Sequence, residues 1–199
     1  RIALASGRPT YGLMPLAKIL ELGNYGGFIV SYNGCQIINA QNGEILFERR
    51  INPEMLPYLE KKAHKNGFAI FTYHDDTLLT DSPNNEHIRT EAKLNNLKII
   101  KEEDFSIAID FALCKCMLVS DEALTGLEEH WKRRLNGTLD VFRSEPYFLE
   151  VVPCGIDKAN TLGALLSHLN ITREEVIAIG DGVCDVNMLQ IAGLGIAMG

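Results

Sequence analysis

Two carboxylates, Asp181 and Asp185, stand four residues apart in the run Gly180-Asp-Gly-Val-Cys-Asp185, directly after the apolar, largely β-branched residues 176–179. Such a stretch reads as a fully buried parallel strand, and in open α/β sheets ligands bind at the loops that leave the carboxyl ends of strands. Gly180 and Gly182 permit a sharp turn about Asp181, and Asp185 opens a short helix over residues 186–192 that Gly193 stops. Two hard oxygen donors at a strand-to-helix turn suit a cation such as Mg²⁺. The same residues also suit plainer work, an Asp N-cap and a Gly-Asp-Gly turn. They fit neither a dinucleotide fingerprint, which needs a further glycine, nor a calcium loop closing on Glu.

Two further groups are placed to meet an anion. Ile2-Ala-Leu-Ala5 reads as another buried strand, and it runs into Ser6-Gly7-Arg8-Pro9 ahead of a helical pattern. The Ser6 hydroxyl and the Gly7 and Arg8 amides can point at an anion there. A plain βα turn with Thr10 capping the next helix has the same sequence. Gly155-Ile-Asp-Lys158 precedes an amphipathic helix over residues 159–169, with Leu162, Leu165, Leu166 and Leu169 on one face. Lys158 therefore enters the first helical turn, where the macrodipole disfavours a cation and a bound anion would offset the cost. A solvated lysine paired with Asp157 is the plainer alternative.

Taken in order, Ser6-Gly7-Arg8, Lys158 and Gly180-Asp-Gly-x-x-Asp185 resemble motifs II, III and IV of the haloacid dehalogenase superfamily of phosphatases. The Cof-type branch (class IIB), with a large α/β cap inserted between motifs II and III, is the nearest in pattern. Val30-Ser-Tyr-Asn-Gly34, Tyr147-Phe-Leu-Glu-Val-Val-Pro153 and Ala192-Gly-Leu-Gly-Ile-Ala-Met-Gly199 fit that branch too, so the resemblance runs over essentially the whole chain. It implies an α/β fold, with a Rossmann-like core of three α/β/α layers, a mostly parallel sheet and an inserted α/β cap domain. It also implies Mg²⁺-dependent hydrolysis of phosphate esters through an aspartyl-phosphate. By the same resemblance, Ser6 and the Gly7 amide, with Arg8 beside them, bind the phosphoryl group, and Lys158 neutralises the charge shared by nucleophile and phosphate. Asp181 ligates Mg²⁺, with Asp185 as second ligand or support. Positioning and cation clamps supply most of the catalysis in phosphoryl transfer. The implied substrates are small phosphorylated metabolites, mainly sugar phosphates.

Two departures stand out. Cys184 occupies a place where the family usually carries Asn, so a contact to the phosphate or its neighbouring loops is altered, a thiol being a poor hydrogen-bonding substitute for an amide. The family's first motif, an Asp-x-Asp closing the first strand and supplying nucleophile and general acid/base, has no counterpart. Arg1 directly precedes one strand and Met198-Gly199 directly follow another, an arrangement that leaves ladder groups and apolar faces uncovered. The expectation is a fragment of a longer phosphatase whose nucleophile lies upstream of Arg1. A noncatalytic phosphate- or metabolite-binding protein and a phosphomutase use the same groups. An upstream Asp-x-Asp separates enzyme from binder, and release of inorganic phosphate separates hydrolase from mutase. P-loop enzymes are disfavoured, because no Gly-x-x-x-x-Gly-Lys-Ser/Thr occurs.

The elements that must position these groups divide the chain into core at residues 1–49, an α/β cap at 50–153, and core again at 154–199. The first part carries strands at 2–5 and 28–32, a helix with Leu13, Leu16, Ala17 and Leu20, and hairpin-type turns at Asn33-Gly34 and Asn42-Gly43. In the second, Asn52 caps a helix with Pro53 at its first position, and Met55, Leu56, Leu59 and Ala63 line one face until Gly67. Strands at 68–73 and 77–80 flank His74-Asp75-Asp76, a helix covers 86–94, and a strand covers 114–119. Ser120 caps a helix with Leu124, Leu127, Trp131 and Leu135 at core spacing, and strands at 139–143 and 148–152 close the unit. His74, Asp75 and Asp76 on one hairpin tip, and Arg143 to Tyr147 on another, are the cap's candidates to meet substrate.

The composition, 46% hydrophobic and 23% charged, is that of a globular chain able to bury a sizeable core. The net charge of −7 argues against nonspecific nucleic-acid binding. No apolar run is long enough to span a membrane. The five cysteines, Cys35, Cys114, Cys116, Cys154 and Cys184, form no Cys-x-x-Cys pair and read as reduced thiols of a cytoplasmic protein. Cys114 and Cys116 share a strand face as packing groups, and the five histidines lack metal-ligand spacing.

Overall fold

The computed structural model describes residues 1–120, 124 and 127–199, and the chain divides into two compact units, residues 1–48 with 155–199, and residues 49–154. The first unit opens with β1 (Ala3–Ala5), α1 (Thr10–Ile19), β2 (Phe28–Ser31), β3 (Gln36–Asn39) and β4 (Ile45–Glu48). β1 pairs in parallel with β2, and β3 and β4 extend the sheet antiparallel. The two faces of β2 sort its side chains. Ile29 packs with Leu4, Leu13, Ala17 and Leu22, on the α1 side. Phe28 and Val30, with Ile37, meet Leu165 on the other. A helix therefore covers each face of the sheet, in the α/β/α layering of a Rossmann-like fold. Leu16 and Leu20 of the α1 pattern are exposed, because the buried line runs through Gly12, Leu13 and Ala17.

The second unit carries α2 (Leu56–Lys65), β5 (Ala69–His74), β6 (Thr77–Thr80), α3 (Glu86–Leu94), β7 (Lys98–Lys101), α4 (Phe105–Ala108), β8 (Cys116–Val119), α5 (Leu127–Leu135), β9 (Leu139–Glu145) and β10 (Phe148–Pro153). Its sheet runs β7-β6-β5-β8-β10-β9, antiparallel except for β6 beside β7. Asn52 Oδ1 accepts the Glu54 amide at 3.1 Å ahead of α2, and Gly67, at φ +72°, follows its end. One face buries Leu56, Leu59, Ile70, Leu118, Trp131, Leu149 and Val151 in a continuous apolar core. Lys115 and Glu150 form a buried ion pair at 3.0 Å, with the Lys115 ammonium 5.5 Å from the Tyr73 ring centroid.

Several local expectations shift. β7 and α4 carry too little periodicity to be read from sequence: Lys98-Ile-Ile-Lys101 becomes a strand because α3 returns the chain to pair beside β6. β8 begins at Cys116, so Cys114 lies outside the strand. β9 extends through Glu145, which makes Arg143 and Ser144 strand residues and leaves Pro146-Tyr147 as the tip. The cap that Ser120 was to supply rests on residues that include ones outside those described.

The chain returns to the first unit with α6 (Lys158–Leu169), β11 (Ile177–Gly180), α7 (Val186–Ile191) and β12 (Leu194–Ala197), β11 and β12 pairing in parallel. α7 ends one residue short of the expected Ala192. β11 is not fully buried, since Ala178 is covered while Ile177 and Ile179 are 65% and 59% exposed. Among the described residues it has a single strand neighbour, β12, and its sides border a groove of about 340 Å³ lined also by Ala3, Ala5, Leu165 and Lys158. β1, expected to be buried, is an edge strand on the same groove and is only partly covered. No helix among the described residues is long and apolar enough to cross a membrane.

Candidate functional site

Lys158 is the first residue of α6, and its side chain is only 7% exposed. Asp157, the plainer partner in sequence, is engaged elsewhere: its carboxylate accepts the Asn160 amide at 2.6 Å and caps the helix. The Lys158 ammonium instead donates to Asp185 Oδ1, and the Cys184 sulfur lies 3.5 Å from Nζ. The second oxygen of Asp185 accepts the amides of Asp181 at 3.2 Å and Gly182 at 3.0 Å. One buried carboxylate thus fixes both the lysine and the turn that carries Asp181. Gly180 is required beside it, because a Cβ there would stand 2.5 Å from Asp185 Cβ and 2.8 Å from Oδ2.

Burial is the largest single influence on the Lys158 ammonium and works against its charge, but the hydrogen bond to Asp185 and the neighbouring negative groups together lift its pKa above the ordinary lysine value. Burial also acts most strongly on Asp185, upward, and is outweighed by Lys158 and the two amides, so its pKa lies below the ordinary carboxylate value. Both shifts favour the ionised pair. Asp185 contributes stability that is present above its unfolded pKa and lost as pH falls through the lower folded value. Lys158 contributes stability that is present below its unfolded pKa and lost as pH rises through the higher folded value. Chemical denaturation across pH is therefore expected to show the pair's contribution intact from about pH 5 to 10 and declining outside that window. A Lys158→Met/Asp185→Leu double variant should lack those two declines, and identical profiles would show the pair to be irrelevant to them.

Asp181 and Cys184 are exposed, whereas Asp185 is buried. The turn after β11 therefore presents the Asp181 carboxylate outward while Asp185 turns inward to Lys158. Ser6 follows β1 as Asp181 follows β11. The Arg8 amide donates to Ser6 Oγ at 3.3 Å, so it closes the Ser6-Gly7-Arg8 turn on itself, and the Ser6 proton is what that hydroxyl offers an anion. Thr10 does not cap α1: Pro9 is the N-cap, and Thr10 Oγ1 lies 2.7 Å from both Ser31 Oγ and Gln36 Oε1.

Sequence reasoning missed the turn after β2 as part of this site. Tyr32, Asn33 and Gly34 all have positive φ, at 52°, 58° and 106°. Consecutive non-glycine residues in that region are sterically costly and persist only where their surroundings hold them. Here the Tyr32 amide donates to Arg8 O and the Asn33 amide to Ser6 O, both at 3.0 Å. The Gly34 carbonyl accepts Thr161 Oγ1 of α6 at 2.8 Å. Asn33 also closes on the phosphate-binding candidate, since a Cβ on Gly7 would lie 2.8 Å from Asn33 Oδ1. This turn therefore ties the Ser6 loop to the first turn of α6, where Lys158 sits. The signal available in the sequence was Tyr-Asn-Gly directly after an apolar strand.

In the second unit, His74 stacks on Phe111 with ring centroids 4.3 Å apart, and Asp76 pairs with Lys98 at 2.6 Å. The Lys98 hydrogen bond holds the Asp76 carboxyl below its ordinary pKa. Asp75, at φ +49°, forms the exposed corner of that hairpin. Tyr147 stacks on His87 at 3.7 Å.

The donors available for a hard cation are few. Among the described residues no group of three or more His, Cys, Asp or Glu side chains is placed to hold a metal ion. Mg²⁺ is commonly held by one or two carboxylates, with water and substrate oxygens completing its shell. The exposed Asp181 fits that donor chemistry. Asp185, with both oxygens engaged, fits the role of a support.

A family model described as haloacid dehalogenase-like hydrolase matches residues 1–199. The chain is 26% identical over 208 residues to the chloroplastic endoribonuclease YBEY of Arabidopsis thaliana, covering all of this chain but 35% of that protein. It is likewise 26% identical to an HMP-PP phosphatase of Cronobacter sakazakii, covering all of this chain and 71% of the relative. A solved haloacid dehalogenase-like hydrolase from Bacteroides thetaiotaomicron superposes with a TM-score of 0.93 at 46% identity, over 99% of this chain and 74% of that structure.

Proposed function

Because this chain belongs to the haloacid dehalogenase-like hydrolases, we propose that it is the greater part of an Mg²⁺-dependent phosphatase acting on small phosphorylated metabolites, sugar phosphates foremost. The observation that carries this reading is the buried Lys158–Asp185 pair, which holds a fixed cation against the turn that carries Asp181. A cation held at a helix N-terminus by a single carboxylate keeps donor capacity for a second anion, and its placement costs least when that anion is bound. Lys158 then neutralises phosphoryl charge, Ser6 donates to a phosphoryl oxygen, and Asp181 holds Mg²⁺, whose charge offsets that of the transferring group. Asp185 acts through Lys158 and is a positioning residue.

The nucleophile in this reading is an aspartate on a strand supplied by a further segment of the protein. Support for that strand is the groove between β1 and β11, two edge strands with apolar borders from which the Ser6 and Asp181 loops depart. Its carboxylate would attack phosphorus and displace the ester oxygen, and water would then release inorganic phosphate and restore the carboxylate. The unit of residues 49–154 serves as the cap, with His74, Asp75 and Asp76 as candidates for substrate selectivity. The HMP-PP phosphatase relative is in keeping with a small phosphorylated substrate.

The test is the full native polypeptide incubated with a panel of sugar phosphates, with and without Mg²⁺. Mg²⁺-dependent release of inorganic phosphate is the expected result. Transfer of the phosphoryl group within the substrate without release would make the protein a mutase. Saturable binding without turnover would make it a binding protein.

A further inference from the structure

We propose a second anion site, for a small oxyanion, in the cleft between α2 and α5 of the unit formed by residues 49–154. It is independent of the function proposed above. Trp131 is 3% exposed, and its indole Nε1 is one of two buried side-chain polar atoms among the described residues that have no hydrogen-bond partner, the other being Asn95 Oδ1. An indole N–H is a donor only, so what it lacks is an acceptor, and buried polar groups of this kind are rarely left unmet. The atom belongs to a residue that lines a shallow surface cleft of about 10 Å³, together with Tyr58, Lys62, Asn66, His130 and Arg134. That is room for about one water-sized atom, so only one atom of a larger ligand enters it.

The chemistry of that lining is one-sided, for among the described residues it contains a lysine, an arginine, a histidine and the indole, and no carboxylate. The acidic side chains of the two helices are engaged elsewhere. Glu60 of α2 accepts the Ser106 amide at 3.2 Å, and Glu128 and Glu129 of α5 hold Lys132 at 2.7 Å and 3.2 Å. The Lys62 ammonium lies 5.6 Å from the Tyr58 ring centroid, which keeps it at the cleft wall. In a chain of net charge −7, a donor-lined basic cleft is a local exception. In the proposed site one oxygen of a phosphate, sulfate or carboxylate accepts the indole N–H and the remaining charge meets the Lys62 and Arg134 side chains of the same lining through charge-assisted hydrogen bonds. A water molecule also accepts from the indole, but it carries no charge to offset those of Lys62 and Arg134.

Trp131 is the only tryptophan of the chain, so its indole ¹H–¹⁵N resonance reports on this cleft without assignment. We would titrate the ¹⁵N-labelled protein at constant ionic strength with inorganic phosphate, sulfate and acetate in separate arms. The expected result is a saturable shift of that resonance in at least one arm. The phosphate, sulfate and acetate arms distinguish a tetrahedral oxyanion from a carboxylate. Arg134→Gln and Lys62→Gln should each weaken the affinity by about tenfold or more, and both residues lie outside the apolar core, which substitution leaves intact. A resonance unmoved in all three arms, or one that shifts identically in both variants, would overturn the proposal. The first outcome would mean that water alone fills the cleft, and the second that the indole senses an anion bound elsewhere.

Discussion

Replacing Lys158 with alanine is expected to reduce stability by about 3 kcal/mol and turnover by on the order of 10²–10³-fold. The two effects have separate origins. Lys158 and Asp185 side chains are 7% and 8% exposed, so removing one partner leaves the other charge buried. Breaking such a pair typically costs about 3–5 kcal/mol. The lower end applies here because the Asp181 and Gly182 amides still hold the Asp185 carboxylate. Urea denaturation of the variant measures this loss. Lys158→Met/Asp185→Leu, with no unpaired charge, should recover much of the stability and none of the turnover. If the double variant regained turnover, Lys158 would be a structural residue only. If the single variant turned over normally, the site as described would be wrong.

Asp181→Asn should leave stability nearly unchanged and reduce Mg²⁺-dependent turnover of the native protein by on the order of 10²–10³-fold or more. Asp181 is exposed, and its backbone amide, not its carboxylate, makes the contact to Asp185. Substitution therefore disturbs neither packing nor the buried pair, while removing a negative oxygen donor that a hard cation requires. The two variants are complementary: one weakens fold and chemistry together, the other chemistry alone. The decisive measurement is the Mg²⁺ concentration dependence of phosphate release. An unchanged profile would remove Asp181 from the metal site and with it the division of labour between the two aspartates.

That division is where sequence and structure part. The order of Ser6-Gly7-Arg8, Lys158 and Gly180-Asp-Gly-x-x-Asp185 determined the family and the α/β class and singled out the candidate site residues, because each motif is a local turn whose chemistry follows from its own few residues. Local signals also placed the helix that follows Asn52 and Pro53, since a cap and its helix are neighbours in the chain. Which aspartate faces out and which turns in was not legible, because Asp181 and Asp185 present the same carboxylate to any sequence rule. Only the position of α6 decides it, by bringing Lys158 against Asp185 across 27 residues. The same holds for the turn at Tyr32-Asn33-Gly34, whose strained backbone is held by Ser6, Arg8 and Thr161 from distant parts of the chain. β7 illustrates the point in the second unit: two isoleucines between lysines carry no strand signal of their own, and pairing beside β6 makes the strand. Sequence thus set what each group can donate or accept, and tertiary contact, which alone fixes partners and burial, set which of those capacities each group uses.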